Sequence, residues 1–529
     1  MTNYYLGVDV GSASVRAGLY DADGQRLAFS TRPIQQFHSE DNHVEQSSAE
    51  IWQAACAATR EAVEHAGIDA RQIKGLGFDA TCSLVMLDGQ GEALSVSRSG
   101  EAQRNVIMWM DHRATDEAAQ INATGDEALQ YVGGAVSVEM ELPKILWLKR
   151  NMPAQYQRCG RLWDLADFMV WRATGEDVAS VCTLTCKWNY LAHESRFSAS
   201  LLQAVGLEDL AARLPVGILP LGEKAGALSA SAAQEMGLAP GIAVASGIID
   251  AHAGGLALVA AQPQGSLALI SGTSNCHMIV SRDPFMVPGV WGPYWNAMIP
   301  GWWLSEGGQS AAGSLVEWTL HQHAYWAQTQ QQARQRAISP WQLLNEWVAD
   351  LELRQRWPTQ HLHVLGDHHG NRSPRANPQA RGMVMGLTLE QGQDGLARLY
   401  LATLQAVALG TRHIIDALTA AGQRIERLVL CGGATRNPLW LREYANATGR
   451  TLHLMDDDDA VTLGAALMGA VASGECADFR QAAGRMVKPG RTIAADADQR
   501  AFFDAKYQVY LQMYDDQQRA MALMQGFSD

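Results

Sequence analysis

A chain of 529 residues, with 47% hydrophobic and 18% charged side chains, is too long for one hydrophobic core and is expected to fold as two large domains. Its formal net charge of −14 argues against nucleic acid or an anionic membrane as the main partner, because both carry the same sign. Eight cysteines scattered over that length read as reduced thiols of a cytoplasmic protein, not as a disulfide framework.

In chain order, the opening MTNYYLGVDVG has no basic stretch followed by an apolar core, so no secretory signal is read there. YYLGVDV (Tyr4–Val10) and VRAGLY (Val15–Tyr20) are predicted strands, and DADG (Asp21–Gly24) is a turn into a third around RLAFSTR. Ser47 followed by Glu50 is a capping-box pattern that opens a helix running to about His65. IKGLGFD (Ile73–Asp79) and LVMLD (Leu84–Asp88) are strands again, completing a mixed sheet flanked by helices. Cys182 and Cys186 lie one helical turn apart, but no second pair or histidine cluster completes a zinc site, so they read as core residues.

The stretch SGIIDAHAGG (Ser246–Gly255) follows. Asp250 and His252 are the only ionisable side chains between Gly241 and Ala261, in the most apolar run of the chain. Their place at its middle, among glycines, argues against a membrane span. A carboxylate in such surroundings needs partners or a function, because burying even a neutral polar group unpaired costs about 2–7 kcal/mol. His252 reads as a packed or capping histidine. LALIS (Leu267–Ser271), the turn GTSN and the return strand CHMIV then repeat the opening, so that DVGSAS (Asp9–Ser14) and ISGTSN (Ile270–Asn275) occupy matching corners half a chain apart. Helices are predicted over about 311–322, 395–421, 438–449 and 460–473, with strands RLVLC and TLHLM between them. The break between halves falls near Asp250–Gln262.

A Gly-Ser or Gly-Thr corner presents backbone amides and a hydroxyl at close range, which suits phosphate oxygens. CGGATRNPLW (Cys431–Trp440) is a third glycine-rich corner, at a strand-to-helix junction where a backbone can approach a nucleotide. Rival motifs do poorly: there is no Walker A sequence, no GxSxG elbow and no HExxH. Gly75-Leu-Gly77-Phe-Asp-Ala80 fits the loose dinucleotide fingerprint, but a strand follows where a helix should begin. The run Asp456–Asp459 reads as acidic residues preceding a helix N-terminus.

VDVGSASVRA, SGIIDAHAG, ISGTSN, GGQS (Gly307–Ser310) and CGGATRNP, in that order over nearly the whole chain, resemble the FGGY carbohydrate kinases. MELPKILWLKRN (Met140–Asn151) is similar to that family's N-terminal signature, with Glu141 where a smaller residue is usual. GFDATCSLV (Gly77–Val85), WMDHRA (Trp109–Ala114) and GNRSP (Gly370–Pro374) resemble the pentulose kinases, the D-ribulokinase branch in particular. The resemblance implies an α/β fold of two actin-like, ribonuclease H-like domains with the active site in the cleft between them. Residues 1–253 would be the sugar-binding domain and 254–529 the ATP-binding domain. It also implies Mg²⁺-dependent transfer of the γ-phosphoryl group of ATP to a sugar hydroxyl. Carried over by motif, Asp250 is the general base and Asp9 holds Mg²⁺ through water. Gly11, Ser12, Ser14, Gly272 and Thr273 face the phosphates, and Gly432, Gly433 and Asn437 lie by the adenosine. Ala80 or its neighbours, Lys187, Asp250 and Glu306 bind the sugar.

Three classes stay open on the residues alone: a sugar kinase, an actin-like ATPase without a sugar base, and a non-catalytic sugar-binding protein. Asp250 and Glu306, read as lying in polar-punctuated loops, favour the kinase. Within it, D-ribulose is the first expectation, with L-ribulose, D-xylulose or another polyol as alternatives. The partners expected are a small sugar and ATP. Sixteen tryptophans could pack a core or the face of a homodimer.

Overall fold

The computed structural model describes residues 3–40, 42–457 and 459–527. The N-terminal sheet is built on β1 (Tyr4–Val10), which runs antiparallel to β2 (Ser14–Asp21) and parallel to β4 (Ile73–Ala80). β3 (Arg26–Pro33) extends it beyond β2, and β7 (Ala243–Ala245) and β6 (Lys224–Ala227) extend it beyond β4. β8 (Ile248–Ile249) pairs with the last residues of β4. LVMLD, β5 (Leu84–Asp88), does not join this sheet as the sequence suggested. The chain turns away at Thr81–Ser83, and β5 enters a separate five-stranded sheet, antiparallel to Cys159–Asp164.

The C-terminal sheet follows the same plan. β9 (Ser266–Ser271) is antiparallel to β10 (Asn275–Ser281) and parallel to β13 (Arg427–Cys431). β12 (Trp303–Gln309) flanks β10, with β11 (Trp291–Trp295) outside it; β14 (Leu452–Met455) and β15 (Pro489–Ile493) lie beyond β13. The weak repeat in the sequence is thus a repeat of strand pairing, with each hairpin corner placed at the end of its sheet's central strand.

Helix α1 (Ser48–Ala66) starts where the capping pattern puts it, with Ser47 Oγ accepting from the Glu50 amide at 3.4 Å. Only half of the box forms, because Glu50 Oε1 takes the amide of Gln35 instead (3.1 Å). The other helices that position the site are α2 (Val181–Lys187), α3 (Asp250–Val259), α4 (Gly313–Gln322), α5 (Gln393–Ala420), α6 (Pro438–Thr448) and α7 (Ala460–Ala472). Asp459 caps α7 by accepting from the Thr462 amide (3.0 Å), and Asp457 pairs with Arg26 (3.2 Å). This agrees with the reading of the acidic run as a helix entry; Asp458 lies outside the described residues.

Two helices cross between the halves. α7 belongs to the C-terminal half of the chain yet lies on the N-terminal sheet, and α3 packs against β9, β10 and β13. Glycines make the first contact possible: a Cβ at Gly7 would fall 1.9 Å from Thr462 O, at Gly75 2.0 Å from Gly469 O, and at Gly77 2.0 Å from Ala465 O. The glycines of GLGFDA therefore serve helix-on-sheet packing, the physical reason that the dinucleotide reading fails. Where the helices meet, a Cβ on Gly464 would lie 1.9 Å from Ala253 O. The link expected near Asp250–Gln262 is thus largely helix. Among the described residues no helix is long and apolar enough to cross a membrane.

The crossing tolerates no side chain at 464. Gly464→Ala is expected to lower the urea midpoint by the equivalent of about 1–3 kcal/mol or more, the usual cost of overpacking. Gly484→Ala, at an exposed helix position with nothing within 4 Å of the added carbon, should leave it unlowered or raise it by the equivalent of up to about 1 kcal/mol. Equal midpoints for the two variants would contradict backbone contact at the crossing.

Candidate functional site

A cleft of about 800 Å³ lies between the two sheets, lined from one half by Gly11, Ser12 and Asp250 and from the other by Gly272, Thr273, Gly432 and Gly433. The two hairpin corners face each other across it. In each, the glycine amide is spent on closing the turn, Gly11 N to Ser14 O (3.0 Å) and Gly272 N to Ser274 O (2.9 Å). The N-terminal corner is braced by Trp109 Nε1, which donates to Ser12 Oγ (2.9 Å), and by Gln36 and Gln46, which donate to Ser12 O (3.0 Å each). The C-terminal corner is held by the start of α4, where the Gly313 amide donates to Gly272 O (3.0 Å) and the Ala312 amide to Thr273 O (2.9 Å). At the third corner Gly432 has φ 94°, and a Cβ there would meet Ser271 O at 2.4 Å. Gly433 has open space, so a flat ligand can approach its backbone.

A cluster of carboxylates sits at the base of the cleft. β1 and β4 run in register, which sets Asp9 beside Asp79, both fully buried. Arg16 pairs with Asp9 and approaches Asp459 at 3.8 Å. Asp250, half-buried, is the first residue of α3, and its Oδ1 accepts from the Ala251 amide (2.6 Å). Loss of hydration raises the pKa of Asp9 and of Asp79; Asp9 and Asp250 raise that of Asp79 further and Asp250 raises that of Asp9, while Arg16, and for Asp9 its hydrogen bond with Asp79, only partly offset this. Burial raises that of Asp250 as well, against the Ala251 amide and the nearby cations Arg16, His252 and Lys187.

The opposite end of the cleft is a charged, hydrogen-bonded pocket. Lys187, the last residue of α2, stands 4.2 Å from the centre of the Trp291 ring, and the Arg372 guanidinium packs over the same ring at 3.8 Å. Glu306 lies on β12, beside Met278 and Trp291 in register, and its Oε1 accepts from Arg372 Nη2 (2.7 Å). Burial alone would push Glu306 up, but Lys187, His252 and Arg372 hold it well below the usual carboxylate range. Glu139, Thr81, Cys82 and Trp109 also line the cleft.

Most of the residues picked from the sequence meet here: Gly11, Ser12, Lys187, Asp250, Gly272, Thr273, Glu306, Gly432 and Gly433 all line the cleft. Four do not. Ala80 points into the core, and its neighbours Thr81 and Cys82 form the wall. Ser14 contributes its carbonyl to the corner, and Asp9 lies beneath the cleft floor. Asn437 caps α6, accepting from the amides of Leu439 and Trp440 (3.2 and 3.3 Å) and donating to Tyr400 Oη (2.7 Å). Two loop readings need correction. Asp250 begins a helix, and Glu306 with Gly307 and Gly308 lies in a strand, where glycine at 308 leaves room for Arg372; a Cβ would sit 2.8 Å from its guanidinium.

Asp79, Arg16, Glu139 and Arg372 were not singled out. Asp79 and Arg372 sit inside the quoted segments GFDATCSLV and GNRSP, and Glu139 directly precedes MELPK. Only the parallel register of β1 and β4 reveals that Asp79 faces Asp9. Cys182 and Cys186 are buried as expected, but His252 joins them, which spacing along the chain could not reveal.

Comparison with known proteins places this geometry. Residues 4–257 match the N-terminal domain and residues 267–473 the C-terminal domain of the FGGY family of carbohydrate kinases. An FGGY carbohydrate kinase domain-containing protein of Homo sapiens is 46% identical over 98% of both chains. A D-ribulokinase of Saccharomyces cerevisiae is 36% identical, covering 89% of this chain and 72% of its own. The crystal structure of a xylulose kinase from Rhodospirillum rubrum superposes with a TM-score of 0.80 at 24% identity, over 99% of each chain.

The raised pKa of Asp79 gives a signed expectation. In the folded protein its charged form is disfavoured, so the stability it contributes is present below the ordinary carboxylate pKa of about 3.9 and is lost as pH rises through the higher folded value. Asp79→Asn does not titrate. In EDTA, the stability of the variant relative to wild type should therefore increase from about pH 5 to about pH 8. A flat or falling difference would contradict the buried charge.

Proposed function

The chain belongs to the FGGY carbohydrate kinases and phosphorylates a sugar with ATP, and we propose that its acceptor is a ketopentose, D-ribulose first, deprotonated by Asp250. One observation carries this reading: a carboxylate with a raised pKa stands in the cleft between two phosphate-type corners and a polar pocket of Lys187, Glu306 and Arg372. Such a pocket suits hydroxyl-rich ligands, because fixed charges there can donate to and accept from several oxygens.

The chemistry follows from the placement. The corners at Gly11–Ser12 and Gly272–Thr273 hold the phosphate chain, and Gly432–Gly433 accommodates the nucleoside. Lys187 and Glu306 orient the sugar so that one hydroxyl faces Asp250 and the γ-phosphorus beyond it. As the hydroxyl oxygen forms its bond to that phosphorus, the bond to the bridging oxygen of ADP breaks and the hydroxyl proton passes to Asp250. The apolar surroundings of Asp250, Ile249 and Ala251, favour the protonated form it takes on.

The same reading includes Mg²⁺, and the buried carboxylates fit it. Apart from the Arg16–Asp9 pair and the hydrogen bond the two carboxyls share, the buried oxygens of Asp9 and Asp79 have no hydrogen-bond donor among the described residues. Hard oxygen donors left in this way suit a hard divalent cation. Asp9 and Asp79 would hold the ion, which when bound would offset charge on the β- and γ-phosphate oxygens. Residues 1–253 then bind chiefly sugar and residues 254–529 chiefly ATP, in a cytoplasmic enzyme.

The yeast relative's name favours D-ribulose, and the structural likeness to a xylulose kinase makes D-xylulose the second reading. With D-ribulose, L-ribulose, D-xylulose and glycerol compared under one condition, D-ribulose is expected to have the highest kcat/KM. A tenfold lead for D-xylulose or glycerol would overturn the substrate assignment. Asp250→Asn is expected to lower kcat by about 10²–10⁴-fold or more while the KM for ATP stays within a few-fold. A folded variant with near-normal turnover would remove Asp250 as the base.

A further inference from the structure

His252 lies two residues beyond Asp250 on α3 and is completely buried, yet both of its ring nitrogens are engaged. Nδ1 stands 3.2 Å from Cys182 Sγ and 3.9 Å from Cys186 Sγ, and Nε2 stands 3.2 Å from Glu306 Oε2. These contacts tie together three elements distant in the chain. Cys182 and Cys186 share one face of α2, which ends in Lys187. His252 belongs to the first turn of α3, which begins at Asp250. Glu306 lies on β12 of the other sheet. Lys187, Asp250 and Glu306, three of the charged side chains of the sugar site, thus sit on the three elements that converge on this imidazole.

We propose that His252 is a positioning residue: bridging Cys182 to Glu306, it locks α2, α3 and β12 in the one arrangement that presents Lys187, Asp250 and Glu306 to the same sugar. The inference rests on the sugar site proposed above.

The bonding is self-consistent. With Nε2–H donating to Glu306, Nδ1 either accepts from the Cys182 thiol or, as part of an imidazolium, donates to its thiolate, and the bridge survives in both forms. α3 has special need of such an anchor, because Ile249, the residue before it, offers no side-chain cap. Burial alone would push the Cys182 thiol up, but Cys186 and His252 more than offset it and hold it at about 5. Burial would likewise lower His252, and Cys182 and Glu306 instead raise it to about 9. Glu306 is held from both sides, by His252 on Oε2 and Arg372 on Oε1, so its carboxylate plane cannot swing when a sugar arrives. The sulfurs of Cys182 and Cys186 and a ring nitrogen of His252 lie close enough together to hold a soft metal ion. The bridge needs none, since each polar atom already has a partner.

Four full-length variants test this: His252→Leu, His252→Gln, Cys182→Ala and Cys182→Ser. Kinetics are measured with whichever ketopentose the wild type phosphorylates fastest, alongside hydrogen exchange of the peptide that covers residues 248–256. His252→Leu and Cys182→Ala are expected to raise the sugar KM roughly tenfold or more with the ATP KM within about twofold, and to speed exchange at the start of α3. Cys182→Ser, whose hydroxyl can still bond to Nδ1, should stay within about threefold of wild type, and His252→Gln, which keeps a donor toward Glu306, should fall between. Should His252→Leu fail to fold, the Cys182 pair decides alone. Unchanged sugar KM in folded His252→Leu or Cys182→Ala would overturn the proposal, as would a Ser variant as impaired as Ala. One thiolate-bound metal per chain in the purified wild type would overturn it too, because Nδ1 would then be a ligand. If the wild type phosphorylates no ketopentose, the substrate reading fails, and the exchange pattern of the four variants still decides whether His252 holds α3.

Discussion

The contact between Ala253 and Gly464 is the constraint on which the site depends. There α3 and α7 pass each other with backbone against backbone, and each has crossed from its own half of the chain toward the sheet of the other. Both helices begin at an aspartate: Asp250 is the first residue of α3, and Asp459 caps α7. Both carboxylates lie within the influence of Arg16, on the strand next to β1. The crossing therefore delivers the Asp250 carboxylate from one half and an acidic helix entry from the other to the floor of the same cleft.

That floor has a charge problem, and function resolves it. Asp9, Asp79, Asp250 and Asp459 cluster around one guanidinium, an excess of negative charge that opposes an incoming triphosphate, and burial raises the pKa of the first three. In the proposed reaction a divalent cation arriving with the nucleotide would remove both difficulties, and Asp250, nearest the sugar pocket, would be left to handle a proton. At the far end the balance is different. There Glu306 is surrounded by Lys187, Arg372 and His252 and stays ionised, a fixed acceptor that in the proposed reading takes sugar hydroxyls. One cleft thus holds carboxylates tuned in opposite directions, which is how a protein separates a proton acceptor from a permanent charge.

Much of this was legible in the sequence, for physical reasons. Strand β1, its hairpin and helix α1 follow from alternation, turn residues and a serine cap, and the motifs at Gly11, Asp250, Gly272 and Gly432 mark places where backbone must come close to something. What escaped depends on pairing between distant segments. Asp79 gains its meaning from parallel register with Asp9, and His252 from a helix about seventy residues upstream and a strand about fifty downstream. The glycines at 75 and 77 matched a nucleotide fingerprint because both needs, phosphate approach and helix packing, select the same absence of a side chain. Asn437 was drawn toward adenosine for a similar reason: a cap residue and a ligand contact look alike at a strand-to-helix corner.

The central claim is that the cleft couples ATP cleavage to phosphorylation of a sugar hydroxyl held against Asp250. It is tested most directly by following ATP and D-ribulose together by phosphorus and proton NMR on the wild-type protein with Mg²⁺. The account predicts one sugar phosphate monoester formed for each ADP released, with negligible ADP when the sugar is left out. ADP accumulating without a sugar phosphate, at the same rate with and without D-ribulose, would contradict it and make the molecule an ATPase of actin-like fold.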